Sequence, residues 1–206
     1  MAGYAALVVL GYLLGAIPSG LIAGKMLKGI DIRQYGSGKV GATNTLRTLG
    51  KGPSIAVLLA DMVKAVLAVL LARWLTGSPG VEVAAALAAI VGHNWPAYIG
   101  WRGGRGVSSS FGVLILFSPL AALVCLVTFV GVIAWSRYVS LGSLVGSAVG
   151  CVMLLGMVIT SLLPTAYAVY ALLGAALIIF QHRDNIERLW RGTERKLGQK
   201  AETASS

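Results

Sequence analysis

The sequence predicts an all-α, polytopic integral membrane protein, and three properties of the chain support this fold class. Hydrophobic residues make up 57% of the 206 residues, and the mean hydropathy is +0.82. Charged residues make up only 12%, against about a quarter in a water-soluble domain. The apolar residues are grouped in long runs, which are typical of membrane-spanning helices. We therefore interpret residues 1–195 as one transmembrane domain and expect residues 196–206 to form a polar, flexible tail.

Five apolar runs predict about seven transmembrane helices, some of them short. The runs cover residues 1–24, 54–75, 81–99, 106–136 and 138–181. The first run has no basic segment before it, which favours a retained span over a cleaved signal peptide. The last two runs are too long for one helix each, since residues 106–136 alone would reach roughly 45 Å against a hydrocarbon core of about 30 Å. Pro119 and Pro164 offer a break in each run, and a re-entrant pair is the alternative for residues 106–136.

The distribution of basic residues predicts the orientation of the chain. All but Lys64 and Arg73 of the 17 basic residues lie in four loops or ends, and seven passes would put all four on one side of the membrane. The positive-inside rule makes that side the cytoplasm, so the N-terminus is expected outside and the C-terminus inside. This placement explains the net charge of +10 without nucleic acid as a partner. Attraction to anionic membrane lipids follows from it.

The most informative segment lies between the first two runs and has the residue types of an anion-binding loop. Positions 36–47 read Gly-Ser-Gly-Lys-Val-Gly-Ala-Thr-Asn-Thr-Leu-Arg. Glycines allow tight turns and bring backbone N–H groups close to a ligand, and Ser37, Thr43 and Asn44 add small polar groups. Arg47 can bind an oxyanion through two parallel hydrogen bonds. The candidate binding glycines of this loop are Gly36, Gly38 and Gly41. A flexible polar turn is the alternative interpretation.

A second polar cluster follows the third apolar run. Residues 92–96 read Gly-His-Asn-Trp-Pro, and residues 101–110 read Trp-Arg-Gly-Gly-Arg-Gly-Val-Ser-Ser-Ser. Glycines at the start of a helix can present backbone N–H groups to a phosphate, and Arg105 adds a full positive charge. The candidate glycines here are Gly103, Gly104 and Gly106. His93 is compatible with a catalytic role and equally with a satisfied histidine at a helix end, and the whole cluster could be a surface turn anchored by interfacial tryptophans.

A third cluster follows the last run, and two ionisable residues lie inside the second run. His182 and Asn185 are three residues apart and would share one face of a helix leaving the membrane. An ordinary charged helix at the membrane surface is the alternative.

Asp61 and Lys64 lie within an apolar segment, where ionisable groups are costly. We expect them to neutralise each other as a structural pair.

Small residues and cysteines in the later runs are interpreted as packing residues. Gly142, Gly146 and Gly150 recur one helical turn apart, which lets helices approach closely in lipid. Cys125 and Cys151 both fall in apolar runs. Their spacing predicts neither a disulfide framework nor a metal site, so no metal or other cofactor is expected.

Taken together, the clusters resemble the acyl-phosphate-dependent glycerol-3-phosphate acyltransferase family of bacterial membranes (PlsY). The matching motifs are GSGxxGATNxxR at 36–47, GHxxP at 92–96, GG[KR]GV at 103–107 and HRxNIxRLxxGxE at 182–194, and residues 137–141 are also similar to a family segment. The resemblance implies a multi-pass protein of the bacterial inner membrane with its active site facing the cytoplasm. It also implies transfer of a fatty acyl group from acyl phosphate to the 1-hydroxyl of sn-glycerol 3-phosphate. The products would be 1-acyl-glycerol 3-phosphate (lysophosphatidic acid) and phosphate, in the first step of phospholipid synthesis.

The resemblance further implies roles for individual residues. The catalytic candidates are Ser37, Arg47, His93, Arg105, His182 and Asn185. The candidates for binding substrate and phosphate are Gly36, Gly38, Gly41, Thr43, Asn44, Gly103, Gly104, Gly106 and Ser140, and Glu194 is structural. Two positions depart from the family, because Lys39 stands where asparagine is common and Arg105 where lysine is common. Arginine keeps the charge but replaces a point donor with a planar fork, so we expect phosphate binding at residue 105 rather than proton transfer.

Acyl phosphate chemistry predicts direct attack without an acyl-enzyme. The donor is a mixed anhydride with an activated carbonyl, so the protein has chiefly to hold two anionic substrates together. The proton acceptor is left open among His93, His182 and an oxygen of the acyl phosphate itself. The competing function is a transporter or carrier for a small phosphorylated or carboxylated anion. Transporters place polar residues near the midplane of several spans, often in repeated halves, whereas here only Asp61 and Lys64 lie deep and no internal repeat is evident.

Overall fold

The computed structural model describes residues 2–199, in which the regular elements are ten α-helices and two 3-10 turns. The helices are α1 Ala2–Gly15, α2 Ser19–Lys28, α3 Ala42–Leu49, α4 Lys51–Thr76, α5 Pro79–Asn94, α6 Val107–Phe117, α7 Pro119–Ser136, α8 Val139–Ile159, α9 Ala166–Gln181 and α10 Arg183–Trp190. The turns are Ile32–Gln34 and Ala97–Ile99. The all-α prediction is confirmed. Most of the predicted flexible tail, residues 200–206, lies outside the described residues.

Four segments of the described chain are long and apolar enough to cross a membrane. They are Gly3–Lys28, which combines α1 and α2, together with α4, α7 and α8. Helices α9 and α10 add a fifth if this pair, bent by 58°, is counted as one span. Trp74, Trp135, Ile159 and Trp190 are between 81% and 88% exposed, which suits a surface that faces lipid rather than water. A polytopic membrane protein is confirmed, whereas seven passes and the orientation of the termini remain predictions.

Prolines determine where the long apolar runs break. Pro119 is the first residue of α7, and the Ser118 hydroxyl before it accepts a hydrogen bond from the Ala121 N–H at 3.1 Å. The run 138–181 divides before α9, close to Pro164. Both breaks were predicted. A third break, at Pro18, was not predicted and divides the first span into α1 and α2, because proline cannot donate the backbone hydrogen bond that a helix requires there. The span itself is confirmed, since Gly3–Lys28 is long and apolar enough to cross a membrane.

The third apolar run forms a shorter helix than expected. Helix α5 ends at Asn94 rather than near residue 99, because Pro96 follows and the residue before a proline avoids the helical conformation. The Trp95 N–H still bonds to the Val91 carbonyl at 2.8 Å and closes the last turn. This early end places His93 and Asn94 at the mouth of the following glycine-rich loop.

Four polar connections lie together at one end of the helical bundle. They are residues 29–50, 95–106, 137–138 and 182–199. Arg195 donates to the Gly36 carbonyl at 3.0 Å, and Arg33 donates to the Ile99 carbonyl at 2.7 Å. The Leu197 N–H donates to the Arg137 carbonyl at 2.7 Å. These contacts join segments that are far apart in sequence.

The helices pack closely enough to position these connections firmly. Val69, Ile90, Val113 and Leu154, from four different helices, are fully buried in one apolar core. Close approach of α1 and α5 depends on small residues, since a Cβ at Gly92 would overlap the backbone of α1. The site therefore stands on a tightly packed scaffold.

Candidate active site

One cavity of about 280 Å³ collects residues from all three polar clusters. The predicted site residues that line it are Ser37, Gly41, Thr43, Asn44, Arg47, Asp61, His93, Arg105, Gly106, Ser140, His182, Asn185 and Glu194. The other predicted residues, which are Gly36, Gly38, Gly103, Gly104 and Lys64, do not belong to this lining. Ser37, Arg47 and Arg105 thus line one space, although Arg105 is more than 50 residues away from the other two in the sequence.

Asn44 organises the first glycine-rich loop from within. Its side chain is 2% exposed, and its amide nitrogen donates to the carbonyls of Ile32, Tyr35 and Lys39 at 3.1, 3.0 and 2.9 Å. Its Oδ1 accepts from the Ser37 N–H at 3.0 Å. The amide is therefore engaged by the backbone of its own loop, which it folds around itself and which presents Ser37 to the cavity.

Arg47 approaches the cavity from α3. One guanidinium nitrogen donates to the Arg195 carbonyl at 3.3 Å, which ties the arginine to the segment after α10. Burial lowers the pKa of Arg47 below its ordinary value, but an arginine remains charged at neutral pH. Lys39 also lines the cavity, and burial, followed by the nearby charge of Arg105, lowers the pKa of this lysine.

The second glycine-rich loop is attached to the end of α5 and opens α6. The N–H groups of Gly103 and Gly104 donate to the carbonyls of Asn94 and His93 at 3.2 and 3.0 Å. Gly106 precedes α6 with φ = 78°, in the left-handed region that glycine adopts without strain. A Cβ at this position would lie 2.9 Å from the Asn94 Oδ1. The start of α6 therefore requires glycine both for its backbone angle and for its space.

Arg105 projects from this loop beside the first turn of α6. Burial, and next the positive charge of Arg188, lower the pKa of Arg105 to about 10. The group is still charged at neutral pH. Within the described residues its Nε has no hydrogen-bond partner, so the guanidinium is available to a ligand. Its position beside a helix N-terminus favours an anion.

Glu194, in the segment after α10, connects α8 and α10 at the polar end of the bundle. The Glu194 carboxylate accepts hydrogen bonds from Ser140 Oγ at 2.7 Å, Asn185 Nδ2 at 2.6 Å and Arg188 Nε at 2.7 Å. Burial alone would raise the pKa of Glu194, but these hydrogen bonds outweigh it and leave the pKa below its ordinary value. The arrangement fixes Asn185 beside His182, and both side chains are almost fully buried.

Asp61 and Lys64 form a buried ion pair of 2.8 Å. The Ser19 hydroxyl donates to Asp61 Oδ1 at 3.0 Å. The ammonium group also contacts the His93 ring, with Lys64 Nζ and His93 Nδ1 separated by 3.0 Å. Sequence reasoning missed this contact, because no local spacing relates residues on two different helices.

The other half of the cavity is apolar and was not predicted. It is lined by Leu58, Met62, Phe111, Leu114, Cys125, Leu126, Phe129, Gly146, Gly150, Cys151, Leu154, Tyr170, Ala171, Gly174, Ala175 and Ile178, among others. Helices α6, α7, α8 and α9 supply most of this lining. The glycine ladder on α8 was a usable signal: Gly146 and Gly150 do face close neighbours on α7, but they also leave room for the cavity.

Fold and site together define a class of protein, namely a polytopic helical membrane protein in which one cavity joins a cationic end to an apolar channel. Such a cavity suits an anionic head group together with a long apolar chain.

The chain belongs to the glycerol-3-phosphate acyltransferase family, whose family profile matches residues 5–192. A glycerol-3-phosphate acyltransferase of Halalkalibacterium halodurans is 47% identical and the match covers 96% of this chain and 97% of that protein. One of Parasynechococcus marenigrum is also 47% identical, over 95% of this chain and 90% of that protein. These relatives confirm the resemblance seen in the motifs.

Solved structures of PlsY, an integral membrane glycerol 3-phosphate acyltransferase, have the same fold. The glycerol 3-phosphate form is 37% identical with a TM-score of 0.88, and the match covers 95% of this chain and 96% of that chain. The lysophosphatidic acid form is 36% identical with a TM-score of 0.86 and the same coverage.

Proposed function

We propose that this protein transfers a fatty acyl group from acyl phosphate to the 1-hydroxyl of sn-glycerol 3-phosphate. One observation carries the proposal: a single cavity holds Lys39, Arg47 and Arg105 at one end and continues into an apolar channel at the other. The donor needs both parts, since it has a phosphate and an acyl chain. The acceptor needs only the cationic part. Relatives solved in glycerol 3-phosphate and lysophosphatidic acid forms support the same acceptor and product.

The three cations meet the main electrostatic difficulty of the reaction. Two singly charged phosphates held roughly 5 Å apart repel each other by about 3 kcal/mol at an effective dielectric constant near 20. Within the described residues, Lys39, Arg47 and Arg105 have no carboxylate within the 4.0 Å that defines an ion pair. Their charge is therefore available to offset the repulsion. Holding both substrates in contact supplies much of the rate enhancement.

The chemistry proceeds by direct attack. The oxygen of the 1-hydroxyl forms a bond to the acyl carbonyl carbon, and the bond between that carbon and the phosphate oxygen breaks. Phosphate leaves with its charge stabilised by the cations, and the proton of the 1-hydroxyl ends on the released phosphate. Within the described residues, Ser37 Oγ has no hydrogen bond to a side-chain base, and a serine nucleophile requires one. Ser37 instead serves as a small donor in the loop.

The active site faces the cytoplasm, and the protein crosses the bacterial inner membrane seven times. The four polar connections lie at one end of the bundle and carry most of the positive charge, which favours that end as the cytoplasmic one. Glycerol 3-phosphate would then enter from water, and the acyl chain from the lipid side.

The decisive assay supplies purified protein in lipid nanodiscs with acyl phosphate and glycerol 3-phosphate, and identifies the products by mass spectrometry. We expect 1-acyl-glycerol 3-phosphate and phosphate in equal amounts, and no product when an acyl thioester replaces the donor. Trapping of an acyl group on Ser37 would contradict direct attack. Uptake of glycerol 3-phosphate into proteoliposomes without any acyl product would support the carrier instead.

Arg47→Ala tests the anion-binding end in the same assay. Loss of a charge-assisted hydrogen bond of about 1.5–3 kcal/mol corresponds to a fall in kcat/KM of about 10- to 100-fold. The matched control is Arg191→Ala, because Arg191 is an exposed arginine paired with Glu187 on α10. The control should retain full turnover. Full turnover in Arg47→Ala would refute the assigned role.

A further inference from the structure

Lys64 lies in a buried network to which the proposed reaction assigns no role. Its Nζ lies 2.7 Å from the Ile17 carbonyl oxygen, 2.8 Å from Asp61 Oδ1 and 3.0 Å from His93 Nδ1. An ammonium group has three N–H donors and no acceptor. The three neighbours therefore occupy all three donors of Lys64.

This arrangement determines which nitrogen of the His93 ring carries the hydrogen. In a neutral imidazole one nitrogen donates and the other accepts. Since Lys64 can only donate, Nδ1 must accept, and the hydrogen lies on Nε2. Asp61 Oδ1 is the more distant neighbour of Nδ1, at 3.5 Å, and a hydrogen on Nδ1 would face an N–H of Lys64. A doubly protonated ring would put a second positive charge 3.0 Å from the ammonium.

The Nε2 of His93 points toward the second glycine-rich loop. A Cβ at Gly104 would overlap this nitrogen, so only a glycine fits against this edge of the ring. No residue within 2–199 forms a hydrogen bond with Nε2, and His93 lines the cavity close to Arg105. The ring thus presents one fixed N–H donor at the anion-binding end.

His182, the other histidine of the chain, has the opposite arrangement. Its Nδ1 lies 2.8 Å from the Ile178 carbonyl oxygen. A carbonyl only accepts, so Nδ1 carries the hydrogen, and Nε2 of the neutral ring is an acceptor. The two histidines of the cavity therefore offer one donor and one acceptor.

We propose that Lys64 is a positioning residue that holds neutral His93 in its Nε2–H tautomer, so that His93 donates a hydrogen bond to a substrate oxygen and does not accept the hydroxyl proton. The identity of that oxygen rests on the proposed function: it belongs to a phosphate group or to the carbonyl that becomes negative during attack. A donor fixed in advance stabilises such charge without reorganisation. Between the two histidines, only His182 then presents a nitrogen that can take a proton.

Nitrogen-15 NMR on protein labelled only in histidine tests the tautomers without measuring activity, so its failure is distinguishable from failure of the proposed reaction. The variant His182→Gln leaves His93 as the single labelled ring and assigns its signals. We expect a protonated Nε2 and an unprotonated Nδ1 for His93, and the reverse for His182. A His93 ring that is protonated on Nδ1, or on both nitrogens, overturns the proposal.

A double variant tests the part played by Lys64. Removing Lys64 alone would leave Asp61 charged and buried without a partner, which is strongly destabilising. Asp61→Asn combined with Lys64→Met removes both charges. In the folded double variant we expect His93 to populate both tautomers while the His182 signals stay unchanged. A single Nε2–H tautomer that persists there shows that Lys64 does not set it.

Two substitutions of His93 distinguish a donor from a base. The amide nitrogen of a glutamine reaches the position of Nε2, whereas that of an asparagine stops near Nδ1, and neither amide acts as a base. The turnover of His93→Gln should therefore be at least about tenfold higher than that of His93→Asn, since one preorganised donor contributes at least that much. Melting temperatures identify any variant that fails to fold. Equal loss of turnover in two folded variants overturns the donor role.

Discussion

Replacing Glu194 by glutamine separates a structural role of this carboxylate from a chemical one. Oε1 accepts from Ser140 and Asn185, and Oε2 accepts from Arg188. Glutamine has the same shape, and its carbonyl oxygen can keep the first two hydrogen bonds. Its amide nitrogen would then face the Arg188 Nε, donor against donor. Of three hydrogen bonds, the variant loses the one from the arginine.

The expected loss of stability follows from that single bond. A hydrogen bond between charged groups contributes about 1.5–3 kcal/mol when buried, and because the Arg188 side chain is 32% exposed we take about 1–2 kcal/mol. At about 2–4 °C per kcal/mol for a chain of this length, the melting temperature should fall by roughly 2–8 °C. Turnover at neutral pH should be nearly unchanged. Glu194→Ala, the matched deletion, loses all three bonds and should lower both stability and turnover.

The pH dependence provides an independent check on Glu194. Its pKa in the folded protein lies below the ordinary value of 4.5, because the hydrogen bonds outweigh burial. A depressed pKa means that the stabilisation is present above pH 4.5 and is lost as the pH falls through the folded value. The difference in melting temperature between wild type and Glu194→Gln should therefore shrink in acid. Unchanged melting at neutral pH together with abolished turnover would refute the reasoning and indicate a chemical role.

Three further predictions concern the ends of the cavity. The variant Lys39→Asn restores the residue common in the family. It should raise KM for the anionic substrates up to about fivefold with little change in kcat, since a partly exposed cation contributes about 1 kcal/mol. An unchanged KM contradicts this prediction. A Cβ at Gly150 would lie 3.1 Å from Leu114 Cδ2 and 3.4 Å from Cys125 Cβ. Gly150→Val should therefore reduce turnover with long-chain acyl phosphates more than with short-chain ones, and an equal loss with both would count against an acyl channel here. Turnover should survive excess chelator, because the charged side chains free to bind phosphate are cations; loss that added divalent ions restore would show otherwise.

Local sequence patterns predicted the fold well wherever one residue decides the outcome. Pro119 ends one helix and starts the next by its own covalent structure, so the division of residues 106–136 could be read directly from the chain. Pro18 breaks the helix in the same way inside the first span, and the apolar residues on both sides of it gave no sign of this break. Hydropathy reports that a segment prefers lipid and says little about whether its helix is continuous.

Long-range contacts explain what the sequence could not predict. Asn44 has the polarity of a ligand-binding residue. Only the folded loop shows that its side-chain amide instead donates hydrogen bonds to three backbone carbonyls. The contact between Lys64 and His93 joins two helices through side chains that are 29 residues apart. The apolar channel is a space between helices, and apolar residues that line a channel have the same composition as residues that fill a core.

The distribution of ion pairs explains why positive charge is left without carboxylate partners at the cavity. Charges at the helix interfaces are paired in the described chain, as in Asp61 with Lys64 and Arg73 with Glu82. At the cavity, burial lowers the pKa values of Lys39, Arg47 and Arg105. Among the described residues, none of the three has a carboxylate within 4.0 Å. A carboxylate placed among them would stabilise the empty fold but would compete with phosphate for the same donors. The phosphates of the two proposed substrates can supply the missing negative charge. Cations without carboxylate partners therefore lower the stability of the protein without substrate, but they stay free to bind anions. The proposed cytoplasmic placement of this end would account for the lysines and arginines at the membrane surface, and the proposed anion binding would account for those that line the cavity.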